Sequence, residues 1–372
     1  MKLADKRASK AAPEAANLWK ADWPTAQQHH IDWWNHRGLV LWVTAPRDKP
    51  WEEIAPPPPY RDLEEFWFGA AWRLRRAEYE LSRTYCGGDA FPIAMMTAGA
   101  GDLAGYLGSP LDLAPDTVWF NPCLREPVEA PPLLHLDRNN DMFRKTTAMV
   151  RTCVAGARGR FFVSPPDLVE NIDVLASLRG AQDLLIDLVE RPEWVAERIA
   201  QINRVFFAAF DHYYEMIKDP WGGNTFVFNI WGPGKTCKVQ CDACSMFSPE
   251  MFRRFVLPAL TEQCAWLDYA MYHLDGEQCL PHLDTLLEIE PLRAIEWTPL
   301  GCCRDEGGGR AKWYDLYRQI LRAGKSVQAI QVKYEEVIPL LDAVGGRGMF
   351  ITTKAETEAD AHKLEEKAGV YR

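Results

Sequence analysis

The chain has 372 residues, an apolar share of 47% and a formal charge of −10. That balance excludes nucleic acid and anionic membrane surfaces as principal partners, because both require a basic face. No apolar run is long enough to span a bilayer, and the length fits one large domain or two ordinary ones.

In chain order, residues 1–35 read as a helical lead-in rich in Ala and Trp, frayed at its start. The opening MKLADKRASKAAPEAANLWK lacks the apolar core of a secretory signal. Residues 38–46, GLVLWVTAP, form an apolar run expected of a strand buried on both faces. APPPPY at 55–60 reads as a stiff linker. Leu63, Trp67, Ala70, Leu74, Ala77 and Leu81 then recur at helical spacing. A second strand is predicted at 91–97, followed by a Gly- and Pro-rich excursion over 98–150, and a third strand at 160–164. A helix covers 182–190. Pro192 opens a longer one with Val195, Ile199, Ile202, Phe206 and Phe210 on one side, since proline suits a first helical position. Strand four is placed at 225–230. Ser248-Pro249-Glu250 carries the cap, first-turn proline and early acid of a helix start. Strands five to eight are placed at 270–273, 294–298, 326–330 and 349–352, and the segment 313–323 has helical period. Eight strands with helical crossovers predict a closed (β/α)₈ barrel over residues 36–372, preceded by the 1–35 extension.

Polar residues gather at the expected strand ends: Thr97, Ser164, Asp167, Asn229, Asp242, His273, Asp275, Glu296, Gln328, Gln331, Thr352, Thr353 and Lys354. A purely structural barrel has no need of polar groups at nearly every strand end, and that rim is where barrels carry out chemistry. Asp242, His273 and Glu296 are therefore candidate acid–base groups. Asn229, Gln331 and Thr97 are candidate substrate contacts, with Trp231 and Trp297 as apolar walls. Most of the fifteen tryptophans are assigned to core filling. His273 and Asp275, two apart on a strand, share a face and could ligate a metal with Cys279. The competing readings are a helix-capping histidine, an internal salt bridge and a cysteine used for packing.

The ten cysteines show no compact disulfide framework and suggest reduced thiols in a cytoplasmic protein. Cys237, Cys241 and Cys244 have the spacing of an iron–sulfur motif, which in a cysteine-rich chain is read as coincidence. Cys302 and Cys303 precede the 307–309 glycine run, in a loop able to bring a thiolate to the rim.

SPEMFRRFVLPAL at 248–260, HLDG at 273–276, IEWTP at 295–299, RAGK at 322–325 and the stretch 165–195 resemble the uroporphyrinogen decarboxylase superfamily. That superfamily consists of (β/α)₈ barrels and includes corrinoid-linked methyltransferases; the likeness spans roughly residues 38–370. The decarboxylases hold a many-carboxylate substrate with an arginine-bearing MRQAGRY motif. Here the comparable stretch offers only Arg37 and Arg47. Their catalytic aspartate has Thr97 or Gly99 in its place, with Asp102 later. The methyltransferases bind zinc through His-x-Cys-Gly and a C-terminal cysteine. Here the first motif reads His273-Leu274-Asp275-Gly276, and the last strand ends in Thr352 and Thr353.

The resemblance thus implies methyl or other one-carbon transfer of a small-molecule substrate, with Zn²⁺ or another divalent metal in a harder donor set. A third ligand would come from Cys279, Glu296, Asp242 or the Cys302–Cys303 loop. A corrinoid carried by a partner protein and a homodimeric assembly are further expectations. The alternatives are a decarboxylase-like lyase working through Asp242, His273 and Glu296, and a non-catalytic barrel binding a corrinoid, tetrapyrrole or sugar-like ligand.

Overall fold

The computed structural model describes residues 17–125, 133–169, 171–299 and 307–372. Thirteen strands occur among them, in chain order: β1 Val40–Pro46, β2 Thr84–Gly88, β3 Ile93–Ala94, β4 Leu111–Leu113, β5 Val118–Phe120, β6 Phe162–Val163, β7 Asn224–Phe226, β8 Ile230–Gly232, β9 Thr236–Gln240, β10 Tyr269–Asp275, β11 Leu292–Thr298, β12 Ser326–Ala329 and β13 Met349–Lys354. Seven form one sheet in the order β2-β1-β13-β12-β11-β10-β9. Every neighbouring pair in it is parallel except β1–β2. The parallel strands from β9 onward are joined by crossovers containing the helices Leu257–Trp266, Leu283–Leu287, Tyr314–Arg322 and Val337–Val344. The architecture is mixed α/β with a mostly parallel sheet. Its strands are covered on both faces, so β12 is buried throughout and β1 over its first four residues.

Register decides which side chains share a face. His273 lies opposite Gln240 on one side and Glu296 on the other, and Glu296 lies opposite Gln328. Side chains alternate along a strand. These four polar groups therefore line one face, while Val239, Leu274 and Trp297 turn to the helix-covered face.

Several predicted elements are redrawn. The strand expected at 225–230 is instead the antiparallel hairpin β7–β8, interrupted by Phe228 and Asn229 with φ of 63° and 60°. The sheet uses β9 in its place. Its sequence, TCKVQ, hides the strand because Lys238 and Gln240 point inward and break the apolar signal. The second and third strands shrink to β3 and β6, which pair in parallel. The excursion over 98–150 holds the β4–β5 hairpin and a 17-residue helix, Asp141–Ala157, whose Asn140 cap accepts from the Phe143 amide. The stripe from Leu63 to Leu81 splits into Leu63–Phe68 and Ala70–Ser82. The break falls at Gly69, where a Cβ would approach the Glu65 carbonyl to 2.4 Å. By contrast, Ala181–Glu190 and Pro192–Ile217 form where their periodicity places them. The Ser248 hydroxyl caps its helix by accepting from the Met251 amide.

The helix Trp23–Trp34 seals the floor of the sheet. Trp33 Nε1 donates to the Val327 carbonyl at 3.3 Å, Trp34 Nε1 to the Trp231 carbonyl at 2.7 Å, and Ser326 Oγ to the Trp33 carbonyl at 2.6 Å. Ser326 begins β12, so this contact lies at the N-terminal end of the strands, opposite the polar rim. The last residue is tied down as well. The Arg372 guanidinium reaches both oxygens of buried Asp89, at 3.1 and 2.9 Å, and Asp89 also accepts from the Leu41 amide.

Candidate functional site

Three strand ends and one turn assemble the site. β10 presents His273 and Asp275, two residues apart and so on one face. β11 presents Glu296 and Thr298 in the same way. Asp242 opens the short 3₁₀ turn Asp242–Met246 directly beyond β9. Asp173, on the helix Asn171–Arg179, holds that turn by accepting from the amides of Asp242 at 2.8 Å and Ala243 at 2.9 Å. Gln240 adds a donor to Asp242 Oδ2 at 2.8 Å. Gln240 is in turn positioned by the buried Lys238 ammonium, which also ion-pairs with Asp167 at 3.0 Å.

The imidazole of His273 is fixed on two sides. Its Nδ1 hydrogen-bonds Glu296 Oε2, whose other oxygen accepts from the Thr298 hydroxyl at 2.8 Å. Phe228 lies against the ring with centroids 4.6 Å apart, and the Phe228 carbonyl accepts from Gln328 Nε2 at 2.7 Å. Two successive non-glycine residues in the left-handed region are strained. Here that strain sits in the turn that packs on the candidate site.

With Nδ1 engaged by a carboxylate, a neutral ring carries its proton on Nδ1 and offers the Nε2 lone pair outward. Nε2 is 3.9 Å from Asp275 Oδ2. One donor atom each from Asp242, His273 and Asp275 lie within 4.8 Å of one another. Asp275 Oδ1 is buried without a hydrogen-bond partner.

The electrostatics suit a cation or a proton. Burial works to lower the His273 pKa, but the Glu296 carboxylate outweighs it and the ring is held above its ordinary value. Asp242 keeps one side open to solvent. Even so, the protein crowded around its carboxyl, and then Asp173, push it up to about 7 against the pull of His273 and Lys238. Asp275 is raised by burial, with His273 opposing. Carboxylates this close compete for protonation unless a positive charge joins them.

The structure thus brings together Asp242, His273, Asp275 and Glu296. A cavity of about 720 Å³ opens at the ends of β1 and β13, lined by Trp42, Thr44, Asn229, Gln331, Lys333 and Lys354 among others but by none of these four. The Phe228–Asn229 turn stands between this cavity and His273. Asn229 and Gln331, two of the three candidate substrate contacts, are among the residues that line this cavity.

Thr97 is not. Its hydroxyl lies 2.8 Å from Asp102 Oδ2 and accepts from the Gly99 amide, bracing a loop. Neither tryptophan expected as a wall faces the cleft. Trp231 is fully buried, donates to Asp219 and packs edge-on against Trp23 of the floor helix. Trp297 alternates to the helix side and packs on Trp313 at 4.9 Å. Both belong to the core, because a residue at a strand end still obeys the pleat.

Cys279 is buried in the Glu277–His282 turn and stands outside the Asp242–His273–Asp275 group. Cys302 and Cys303 lie outside the described residues. Asp173, Lys238, Gln240 and Phe228 were not singled out by the sequence. Only Asp173 carried a signal, falling within the 165–195 stretch that resembles the superfamily.

No protein-family model and no curated relative matches the chain. The fold is similar to that of a methyltransferase from Methanosarcina mazei. The TM-score is 0.55 at 10% sequence identity, covering 88% of this chain and 96% of that one. At that identity the likeness is one of fold. Among the described residues no helix is long and apolar enough to cross a membrane.

Proposed function

We propose that this chain is an enzyme of methyl or other one-carbon transfer in the uroporphyrinogen decarboxylase superfamily, built as a closed (β/α)₈ barrel. Closure is supported by the short wall between β1 and β9. There β3 pairs with β6, the Asp89 amide donates to the Leu41 carbonyl, and Thr225 Oγ1 donates to the Val163 carbonyl. In this reading residues 36–372 form the barrel, and the preceding segment supplies its floor. A cytoplasmic setting belongs to the same proposal.

The observation that carries the reading is the convergence of Asp242, His273 and Asp275, with Glu296 behind the imidazole. The donor set fits a divalent metal such as Zn²⁺. Three protein ligands leave a position open, the carboxylate behind the histidine fixes its tautomer, and Asp275 has an oxygen without a partner. When bound, such a metal polarises a substrate oxygen or activates water, chemistry that suits oxygen ligands better than thiolates. Glu296 orients His273 and compensates positive charge on it. Asp173 and Gln240 hold Asp242 at the mouth. Asp242 serves as a ligand in this reading, and only without a metal is its carboxyl, pushed up to about 7, free to hold or release a proton. Asn229 and Gln331 position the substrate in the adjoining cavity. A corrinoid carried by a partner protein is the proposed methyl carrier, on the strength of the superfamily resemblance.

Elemental analysis of protein purified without chelator tests this. About one divalent metal per chain is expected, lost in His273→Ala with the fold retained by circular dichroism. The pKa of Asp242 favours one competing account, a lyase using Asp242, His273 and Glu296 as acid–base groups. Substoichiometric metal, with turnover indifferent to chelation, would replace the first account with the second.

A further inference from the structure

A second cavity, of about 410 Å³, lies between the helices Leu63–Phe68 and Ala70–Ser82 and the chain leaving β3. Asn229 lines both this cavity and the larger one of about 720 Å³, so the two meet at the left-handed Phe228–Asn229 turn. Much of its wall is apolar, with Trp67, Leu81, Ile93 and Met95 contributing.

Two guanidinium groups also line it, and they differ. Arg76 Nε donates to Glu80 at 2.8 Å, so its charge is met within its own helix. Arg73 Nη2 donates to the main-chain carbonyls of Met95, at 2.8 Å, and Thr97, at 3.3 Å. These bonds hold the side chain across the end of β3 and supply no countercharge. Among the described residues no carboxylate pairs with Arg73, and its Nε and Nη1 donate to nothing. Asp102 does not meet the charge either, because burial pushes its carboxyl up to about 8 and it stays protonated at neutral pH. An anion entering the cavity therefore finds a half-buried guanidinium with its Nε–H and both Nη1 hydrogens unused. One uncompensated positive charge suits a singly charged oxyanion better than a phosphate dianion, and the apolar walls suit a hydrocarbon or aromatic body.

We propose that this cavity binds a small apolar or aromatic monocarboxylic acid, its carboxylate held by Arg73 Nε and Nη1, and that such acids are the substrate class. The assignment as substrate rests on the one-carbon-transfer reading, through the Asn229 wall that the two cavities share. Binding itself needs neither metal nor turnover. Failure of the metal reading leaves binding standing, and failure of binding leaves the metal reading untouched.

The test titrates the full-length chain with benzoate and follows saturation transfer to the ligand by NMR. A dissociation constant of about 1 mM or tighter is expected. Uncharged benzyl alcohol and inorganic phosphate should displace benzoate only at about tenfold higher concentration or more. Arg73→Met removes the donors and should weaken benzoate about tenfold or more, whereas Arg76→Met should change it less than about twofold. Arg73 also braces Met95 and Thr97, so a second variant leaves it in place. Ala77 lines the same cavity one helical turn further on, and Ala77→Glu brings a carboxylate within reach of the guanidinium. It should weaken benzoate about tenfold or more with the parent's circular dichroism. Benzoate that binds no better than benzyl alcohol or phosphate would overturn the proposal. So would binding that survives Arg73→Met or Ala77→Glu unchanged, or that depends on Arg76 instead.

Discussion

Glu296 never touches a candidate substrate cavity, yet at the residue scale it decides what His273 can do. It fixes which nitrogen is offered and holds the ring above its ordinary pKa. Glu296→Gln should retain metal but weaken it about 10- to 100-fold, the usual loss when a carboxylate behind a ligating histidine is removed. A competition titration with a chromophoric chelator reads this, and an unchanged affinity would mean that the pair is only structural.

Asp102 gives a second test, away from the site. It is fully buried, and burial raises it to about 8 against the hydrogen bond from Thr97. Its folded pKa lies above its unfolded value. Between about pH 4 and pH 8 the unfolded chain therefore binds fewer protons than the native one, and stability falls as pH rises. The penalty is absent below pH 4 and complete above pH 8, and on the order of 4–6 kcal/mol at most for a shift of this size. Asp102→Asn should remove that slope, so the variant gains on the parent in alkaline buffer and not in acid. Urea melts at pH 4.5 and pH 8.5 would show parallel losses if Asp102 were ionised in the folded state.

Among the elements, the β7–β8 hairpin is the one whose identity matters most. Its left-handed Phe228–Asn229 turn places an aromatic face on His273 and an amide in the cavity. Glycine tolerates that backbone and asparagine accepts it with modest strain. Asn229→Gly should therefore leave thermal stability within about 1 kcal/mol while raising KM, if Asn229 contacts substrate. A Tm loss as large as a core deletion would show instead that the asparagine side chain is structural.

This turn also marks where local sequence reading gives out. An apolar stretch such as 225–230 reads equally well as a buried strand, because nothing in its composition reports positive φ. The neighbouring β9 goes unread for the opposite reason. Its inward Lys238 and Gln240 are tolerated only because Asp167 and Asp242 are there to meet them. The long amphipathic helix Pro192–Ile217 needs no such partners to be legible. Its apolar stripe is set by helical period alone.

For the whole molecule, the floor helix Trp23–Trp34 is the element to remove. It buries Trp23, Trp33 and Trp34 completely or nearly so, and large-to-small changes at such sites cost about 3–5 kcal/mol each. Against a total stability of about 5–15 kcal/mol, a chain starting at residue 36 should fail to fold cooperatively. A sharp single melting transition for that truncation would make residues 17–35 a dispensable appendage.

The sequence alone determined the α/β alternation and the four C-terminal strands with their crossovers, and it put Asp242, His273, Asp275 and Glu296 forward as candidates. These follow from periodicity and from short polar motifs at strand ends, which are local properties. Which polar residues meet was decided only by the tertiary structure. The register of β10 against β11 sets Glu296 beside His273. A turn pinned by Asp173, some seventy residues earlier by position, swings Asp242 in to join them. The pleat sends Trp297 to the core rather than the cleft. Contacts between distant segments depend on register and on turn geometry, and neither is written in the local pattern of apolar and polar residues.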